Sequence, residues 1–383
     1  FKRIVNAKKE GKTLVGISGA VPREILFAMD LVPFFGENLS MLVSAQGKST
    51  PFFGIGEGYG IPNEGCSLYR LEFGLARSGL LPHPDLLINV GANCNANSKS
   101  YEVLSHLYSC PNYFLDCPSG STEEDLLYYR EEIERMIAFL EKETGRELDR
   151  DRLQEVVNLS SQAHKLFSQI CRLRETVPAP TGVRDLGRDT ALMTIGAGLP
   201  ETVGYFQDRY QEVQGKADRK EGIVPNERYR VAWWSGMPCF DMRVFNWIEE
   251  EYGAVVVLDM NDPVTFNSVA GESLGDTSDP IAYLVRKTFK ASGRRFTSAY
   301  PEVREDVIRS CQERQINASV FFTNFGCKQG NAISRIVVDE LKGRMGISTL
   351  MLDGDLLDAR VASSTQLKEK LREYFEMLSA QER

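Results

Sequence analysis

Three of the eight cysteines lie in polar, glycine-rich surroundings where a packed core thiol is not expected. Cys66 lies in Asn63-Glu64-Gly65-Cys66-Ser67-Leu68-Tyr69-Arg70, Cys94 in Gly91-Ala92-Asn93-Cys94-Asn95, and Cys327 in Asn324-Phe325-Gly326-Cys327-Lys328-Gln329-Gly330. A free cysteine ordinarily packs as a small hydrophobe. Cys171, between Ile170 and Arg172 on a predicted helix, and Cys311, after Val307-Ile308, fit that description. Thiolates that converge can instead ligate an iron–sulfur cluster, and backbone N–H groups in such loops can hydrogen-bond its sulfurs and tune its potential. Three protein thiolates would leave one iron open to a substrate. No compact Cys-x-x-Cys motif is present, so spacing alone leaves burial and ligation both open.

Other chemistries have less support. The histidines are His83, His106 and His164, with no HExxH or Ser-His-Asp pattern, which argues against zinc hydrolase and triad chemistry. A net charge of −8 argues against a nucleic-acid partner. No apolar run approaches the ~18 to 20 residues that span a bilayer, and no signal segment opens the chain. The first residue is Phe1, so the true N-terminus stays open. Eight cysteines in 383 residues are too sparse for a disulfide scaffold. Reduced thiols, a cytoplasmic location and no membrane partner are therefore expected.

Positioning thiols from distant loops requires a repeating scaffold, and strand–helix alternation supplies one. Strands are predicted at 13–17, 86–90 and 112–115, with helices over 22–29 and from about Asn97 to Tyr108. From Ser121-Thr122-Glu123-Glu124, a cap with acidic residues in the first turn, the pattern turns helical. Helices run through Glu141, from Asp149 to Glu175, and, past Pro178, Pro180 and Gly182, to Val213; the charged stretch 215–226 reads as a loop. Alternation then resumes, with strands at 229–234, 254–258, 319–323 and 349–352 and helices over 241–252, up to Lys342, and over 364–378. The fold class is α/β: two open, mainly parallel-sheet domains, 1–120 and 228–383, joined by a helical segment, 121–227. No short internal repeat is visible. Ligands of open parallel sheets bind outside the carboxyl ends of strands, where Cys94, Cys239 and Cys327 are predicted, so a cluster would sit between the domains.

Several stretches resemble, in order, the 2-hydroxyacyl-CoA dehydratase and benzoyl-CoA reductase family, and most of all its cluster-bearing dehydratase subunit. They are Val21-Pro22-Arg23-Glu24-Ile25, Cys66 through Gly74, Asn93-Cys94-Asn95 with Ser100-Tyr101-Glu102, Gly236-Met237-Pro238-Cys239, Cys327-Lys328, and Asp353 through Arg360. The resemblance implies a [4Fe–4S] cluster held by Cys66, Cys94 and Cys327, its fourth iron position open to water or to the thioester carbonyl of an acyl-CoA substrate. A Lewis-acidic iron would polarise that carbonyl. It also implies a related second subunit or a homodimer, and an ATP-hydrolysing iron–sulfur activator that injects one electron. In the dehydratases that electron forms a ketyl radical, which expels the 2-hydroxyl group and acidifies the C3 proton. An open iron site implies oxygen sensitivity and an anaerobic setting.

The resemblance extends to individual residues. Family dehydratases carry a serine just before the Val-Pro helix start; Ser18 is the candidate here, although Gly19 aligns at that position. Glu37 and Asn38 resemble a Glu-Asn pair near the substrate pocket; the alternative for Glu37 is a solvated loop charge. Lys328 and Gln329 could bond the thioester or the cluster, or cap the following helix. Cys239 could lie near the site without being a ligand. Cys110 and Cys117 are core residues or enlarge the metal site. A related group holds a double-cubane cluster with six cysteines, but its additional Cys-x-Cys is absent. Asp353, Asp355 and Asp358 read as loop and cap residues, and Trp233 and Trp234 as core. The competing functional readings are an aromatic acyl-CoA reductase subunit, a double-cubane reductase, and an electron-transfer partner with no substrate of its own.

Overall fold

The computed structural model describes residues 2–91, 94–118, 122–259, 262, 274–293 and 300–381. Ala92, Asn93 and Ser121, invoked above, lie outside them. Its strands are β1 (Leu14–Ile17), β2 (Val32–Phe34), β3 (Leu86–Val90), β4 (Asn112–Leu115), β5 (Tyr229–Ser235), β6 (Ala254–Asp259), β7 (Ala318–Asn324) and β8 (Thr349–Gly354). They form two sheets, ordered β2-β1-β3-β4 and β6-β5-β7-β8. Every pairing is parallel; Val15 stands beside Pro33 and Leu86, and Val231 beside Val256 and Ala318. Helices cover both faces of such sheets, which is why β1, β3, β5 and β6 are mostly apolar and buried along their whole length rather than alternating. The two sheets share one connectivity: the first strand lies between the second and the third, and the fourth lies outside. Ser18 and Cys239 thus follow the two first strands, and Cys94 and Cys327 the two third strands.

The faces of the first sheet are unequal. Val15, Ile17, Ile88 and Val90 pack against Ile133, Met136 and Leu153 of helices Glu123–Thr144 and Arg150–Arg172. Leu14, Phe34 and Leu87 pack instead against Phe53 of helix Thr50–Gly58 and against Leu71, Phe73 and Tyr101, on the helices that follow Cys66 and Cys94. The first long helix begins with a capping box between Thr122 and Asp125. The last helix of the helical segment, Pro200–Asp218, runs past the predicted break near 215, with a Lys216–Glu212 pair on its solvated face. Buried Glu24 accepts from Ser160 and Lys287, joining the first sheet's helix Arg23–Ala28 to Arg150–Arg172 and Pro280–Gly293. No helix among the described residues is long and apolar enough to cross a membrane.

The helix after Cys66 is seated by a close approach of backbones. Helices Thr50–Gly58 and Ser67–Arg77 meet at Gly74, where a Cβ would lie 1.9 Å from the Phe52 carbonyl oxygen. Gly54, on the same helix as Phe52, faces open space. Gly74→Ala should therefore destabilise the chain by about 1–3 kcal/mol through overpacking. Gly54→Ala should stabilise it by about 0.4–1 kcal/mol by stiffening the unfolded chain. Chemical denaturation of both variants checks the contrast, and equal effects would contradict the packing.

Candidate functional site

Each of the three cysteines immediately precedes a helix: Cys66 before Ser67–Arg77, Cys94 before Asn95–Tyr108, and Cys327 before Lys328–Ala332. The first N–H groups of a helix lack intrahelical partners, and here sulfur takes them. Cys94 Sγ accepts from the Asn97 N–H at 3.4 Å, and Cys327 Sγ from the Gly330 N–H at 3.3 Å. Cys66 Sγ makes no such cap bond, although the Leu68 N–H lies close enough to draw its thiol down. Cys94 and Cys327 arrive from the carboxyl ends of β3 and β7, in different sheets, and Cys66 from a helix start between β2 and β3. The Cys66 and Cys327 loops touch: a Cβ on Gly326 would lie 2.5 Å from the Gly65 carbonyl oxygen and 2.8 Å from Cys66 Cα.

Burial raises all three thiols above the ordinary range. For Cys66 the proximity of Cys327 and Cys94 adds to burial, while the Leu68 N–H opposes it. For Cys94 the Asn97 N–H and Tyr69 oppose burial, and for Cys327 the Gly330 N–H does. Helix termini alone therefore leave these thiols protonated at neutral pH. A bound cationic centre offsets both burial and mutual repulsion, because a coordinating thiol loses its proton outright. The donor set of half-buried thiols, two of them backed by N–H groups, fits an iron–sulfur cluster. Among the described residues no group of three or more His, Cys, Asp or Glu side chains could chelate one ion; a polynuclear cluster spaces its ligands more widely.

Glu37 is buried in the first turn of helix Gly36–Ala45 rather than solvated in a loop. Its Oε1 accepts from Asn97 Nδ2 at 3.3 Å. The same amide nitrogen donates to the Tyr69 hydroxyl at 2.9 Å, and that hydroxyl lies 3.9 Å from Cys94 Sγ. Burial pushes the Glu37 carboxyl up to about 7, with the Tyr69 and Asn97 hydrogen bonds pulling the other way. Glu72, buried behind it, is raised by burial and by Glu37. The residue pattern does not single out Tyr69, Asn97 or Glu72; the available signal is that Tyr69 and Asn97 each stand three residues after a candidate ligand.

The other candidates are dispersed. Asn38, next to Glu37, is half-buried. Ser18 is fully buried; its Oγ accepts from the Val90 N–H at 3.0 Å, tying the ends of β1 and β3 together. Lys328 is exposed, its ammonium 5.8 Å from the Phe325 ring centroid, and Gln329 is half-buried beside it. Cys239 follows β5 with its N–H bonded to the Leu356 carbonyl; burial, then Asp355, raises its thiol to about 12. Cys110 precedes β4 beside Asp85, at the opposite end of the sheet from Cys94, whereas Cys117 follows β4 within the core. Asp355 Oδ1 accepts from the Leu357 and Asp358 N–H groups, as a turn residue does. Trp233 and Trp234 are fully buried.

A family model described as 2-hydroxyglutaryl-CoA dehydratase, D-component, matches residues 19–378. The (R)-phenyllactyl-CoA dehydratase alpha subunit of Clostridium sporogenes is 21% identical, over 98% of this chain and 92% of its own length. The (R)-2-hydroxyisocaproyl-CoA dehydratase alpha subunit of Clostridioides difficile is 26% identical over 63% of this chain and 61% of its own length. A benzoyl-CoA reductase subunit of Thauera aromatica is 23% identical over 99% of this chain and 91% of its own length.

The burial of Glu37 has a spectroscopic consequence. An infrared carboxylic-acid band should persist at pH 6, disappear with a midpoint of about 7, and be missing from Glu37→Gln. A band lost near the ordinary glutamate value of about 4.3 would place Glu37 in solvent.

Proposed function

The chain belongs to the 2-hydroxyglutaryl-CoA dehydratase D-component family, and on that premise we propose that it is the iron–sulfur subunit of a 2-hydroxyacyl-CoA dehydratase. The carrying observation is that the helix starts bearing Cys66, Cys94 and Cys327 meet: the Cys66 and Cys327 loops touch at Gly65 and Gly326, and Tyr69, on the helix after Cys66, reaches Cys94 Sγ. In this reading they hold a [4Fe–4S] cluster, which when bound supplies Lewis-acidic iron and a store for one electron. The Asn97 and Gly330 N–H groups stabilise the charge on two of the sulfurs. The Glu37 carboxyl, raised to about 7, is poised to accept the C3 proton or to protonate the departing hydroxyl. Asn97 orients that carboxyl, and Ser18 fixes the strand ends beneath the Cys94 loop. Asn38, Lys328 and Gln329 stand on the turns beside Glu37 and Cys327, where a thioester would approach.

The substrate is an acyl-CoA thioester bearing a 2-hydroxyl group, and the product is the 2-enoyl thioester plus water. A second, related subunit completes the enzyme, as the alpha-subunit names of the relatives suggest. An ATP-hydrolysing iron–sulfur activator supplies the initiating electron. A second reading, reduction of an aromatic acyl-CoA, is favoured by the similarity to the benzoyl-CoA reductase of Thauera aromatica over nearly the full chain.

Iron and acid-labile sulfide in the anaerobically purified chain test the assignment. About four irons per chain are expected, lost in Cys66→Ala, Cys94→Ala and Cys327→Ala but retained in Cys110→Ala, with far-ultraviolet circular dichroism unchanged. About eight would shift the reading to a double cubane that recruits Cys117 and Cys239; an iron-free wild type would overturn the cluster. With activator, second subunit and ATP, loss of water from a 2-hydroxyacyl-CoA supports the dehydratase, and ring reduction of an aromatic thioester supports the alternative.

A further inference from the structure

Tyr69 stands one helical turn after Cys66, yet its hydroxyl lies against a different thiol, 3.9 Å from Cys94 Sγ. A phenol has one hydrogen to donate and lone pairs to accept with. Asn97 Nδ2 donates to the phenol oxygen at 2.9 Å, so an acceptor lone pair is occupied and the hydrogen is left to find an acceptor. Asn97 cannot readily turn away, because Nδ2 also donates to Glu37 Oε1 and its backbone N–H is bonded to Cys94 Sγ. Glu37 is the competing acceptor for that hydrogen, since Tyr69 also draws its carboxyl down. But Glu37 Oε1 already accepts from the amide, whereas Cys94 Sγ lies 3.9 Å from the phenol oxygen with no other side-chain donor among the described residues.

We propose that Tyr69 is a positioning residue whose hydroxyl hydrogen, aimed by Asn97, is donated to Cys94 Sγ and sets how readily a cluster held there takes up an electron. The inference rests on the cluster reading above and adds to it a residue that controls the potential. A metal-bound thiolate keeps lone pairs that accept hydrogen bonds, and such bonds tune the reduction potential of iron–sulfur centres. A donor draws charge from the sulfur and stabilises the reduced, more negative state. Cys94 would then carry two donors, the Asn97 N–H and the Tyr69 hydroxyl. One helix start would supply both a ligand, Cys66, and the tuning group of another.

The test is an anaerobic redox titration of the cluster-loaded chain, followed by electron paramagnetic resonance. Tyr69→Phe should keep its iron content and shift the midpoint to a more negative potential. Replacing Tyr69 by 3-fluorotyrosine, a stronger donor of nearly the same shape, should shift the midpoint the opposite way. A purely structural role would not produce opposite shifts. An unmoved midpoint with iron intact, or shifts in the same direction, would overturn this inference alone. If Tyr69→Phe loses iron, the fluorinated chain decides by itself. An iron-free wild type would overturn the cluster reading and this inference with it.

Discussion

The arrangement depends on one buried guanidinium. Arg70, 1% exposed, donates to Asp358 Oδ2 at 3.1 Å and to Glu57 Oε1 at 2.8 Å, and lies over the Phe53 ring. Arg70 is on the helix opened by Cys66, and Asp358 is in the turn after β8, the neighbour of the strand that delivers Cys327. Arg360 reaches the same Glu57, and Ser44 Oγ donates to the Leu357 carbonyl nearby. Burial alone would raise Asp358, but Arg360 and Arg70 outweigh it and hold the carboxyl below its ordinary value. A buried ion pair is a poor source of net stability, and here Arg360 also pairs with both Glu57 and Asp358, so neither carboxylate depends on Arg70 alone for a partner. The pair therefore acts mainly as a register between the two sheets, and that register fixes where Cys66 stands relative to Cys327.

With the loops so placed, the thiols meet an electrostatic conflict. A helix N-terminus offers about half a positive charge, too little to ionise a desolvated thiol beside two others. Burial leads the upward shift of all three. The geometry thus fits thiolates only together with a metal centre, and metal binding to such a site releases protons and becomes part of the folding free energy.

Much of this is legible in the residues. The runs 86–90 and 112–115 end at turn residues, and the residue pattern bounds both strands where they are observed. The polar loops after β3 and β7 are legible because glycine and asparagine beside cysteine are unusual in a core. β2 is not legible: it has three residues, one of them Pro33, and proline is tolerated there because β2 is an edge strand. Helix Thr50–Gly58 carries Gly54, Gly56 and Gly58, which intrinsic propensity disfavours; tertiary packing at Gly56 and Phe53 holds it. The contacts among Glu37, Tyr69 and Asn97 join three separate helices, and no local pattern reports such a meeting. Neither does any local pattern announce the shared connectivity of the two sheets, because it lies in strand order rather than in residue identity.

That shared connectivity carries an evolutionary consequence. A half-unit doubled within one polypeptide would offer its thiols in pairs, and Cys94 and Cys327, each following a third strand, are such a pair. Cys66 is the odd one. It comes from the insertion between β2 and β3, while the corresponding stretch between β6 and β7 contributes only Cys311, buried in the helix before β7. A four-cornered centre seated among these thiols would have one corner without a protein thiol. That open corner would match the one place where the second half carries no cysteine in a loop corresponding to Cys66.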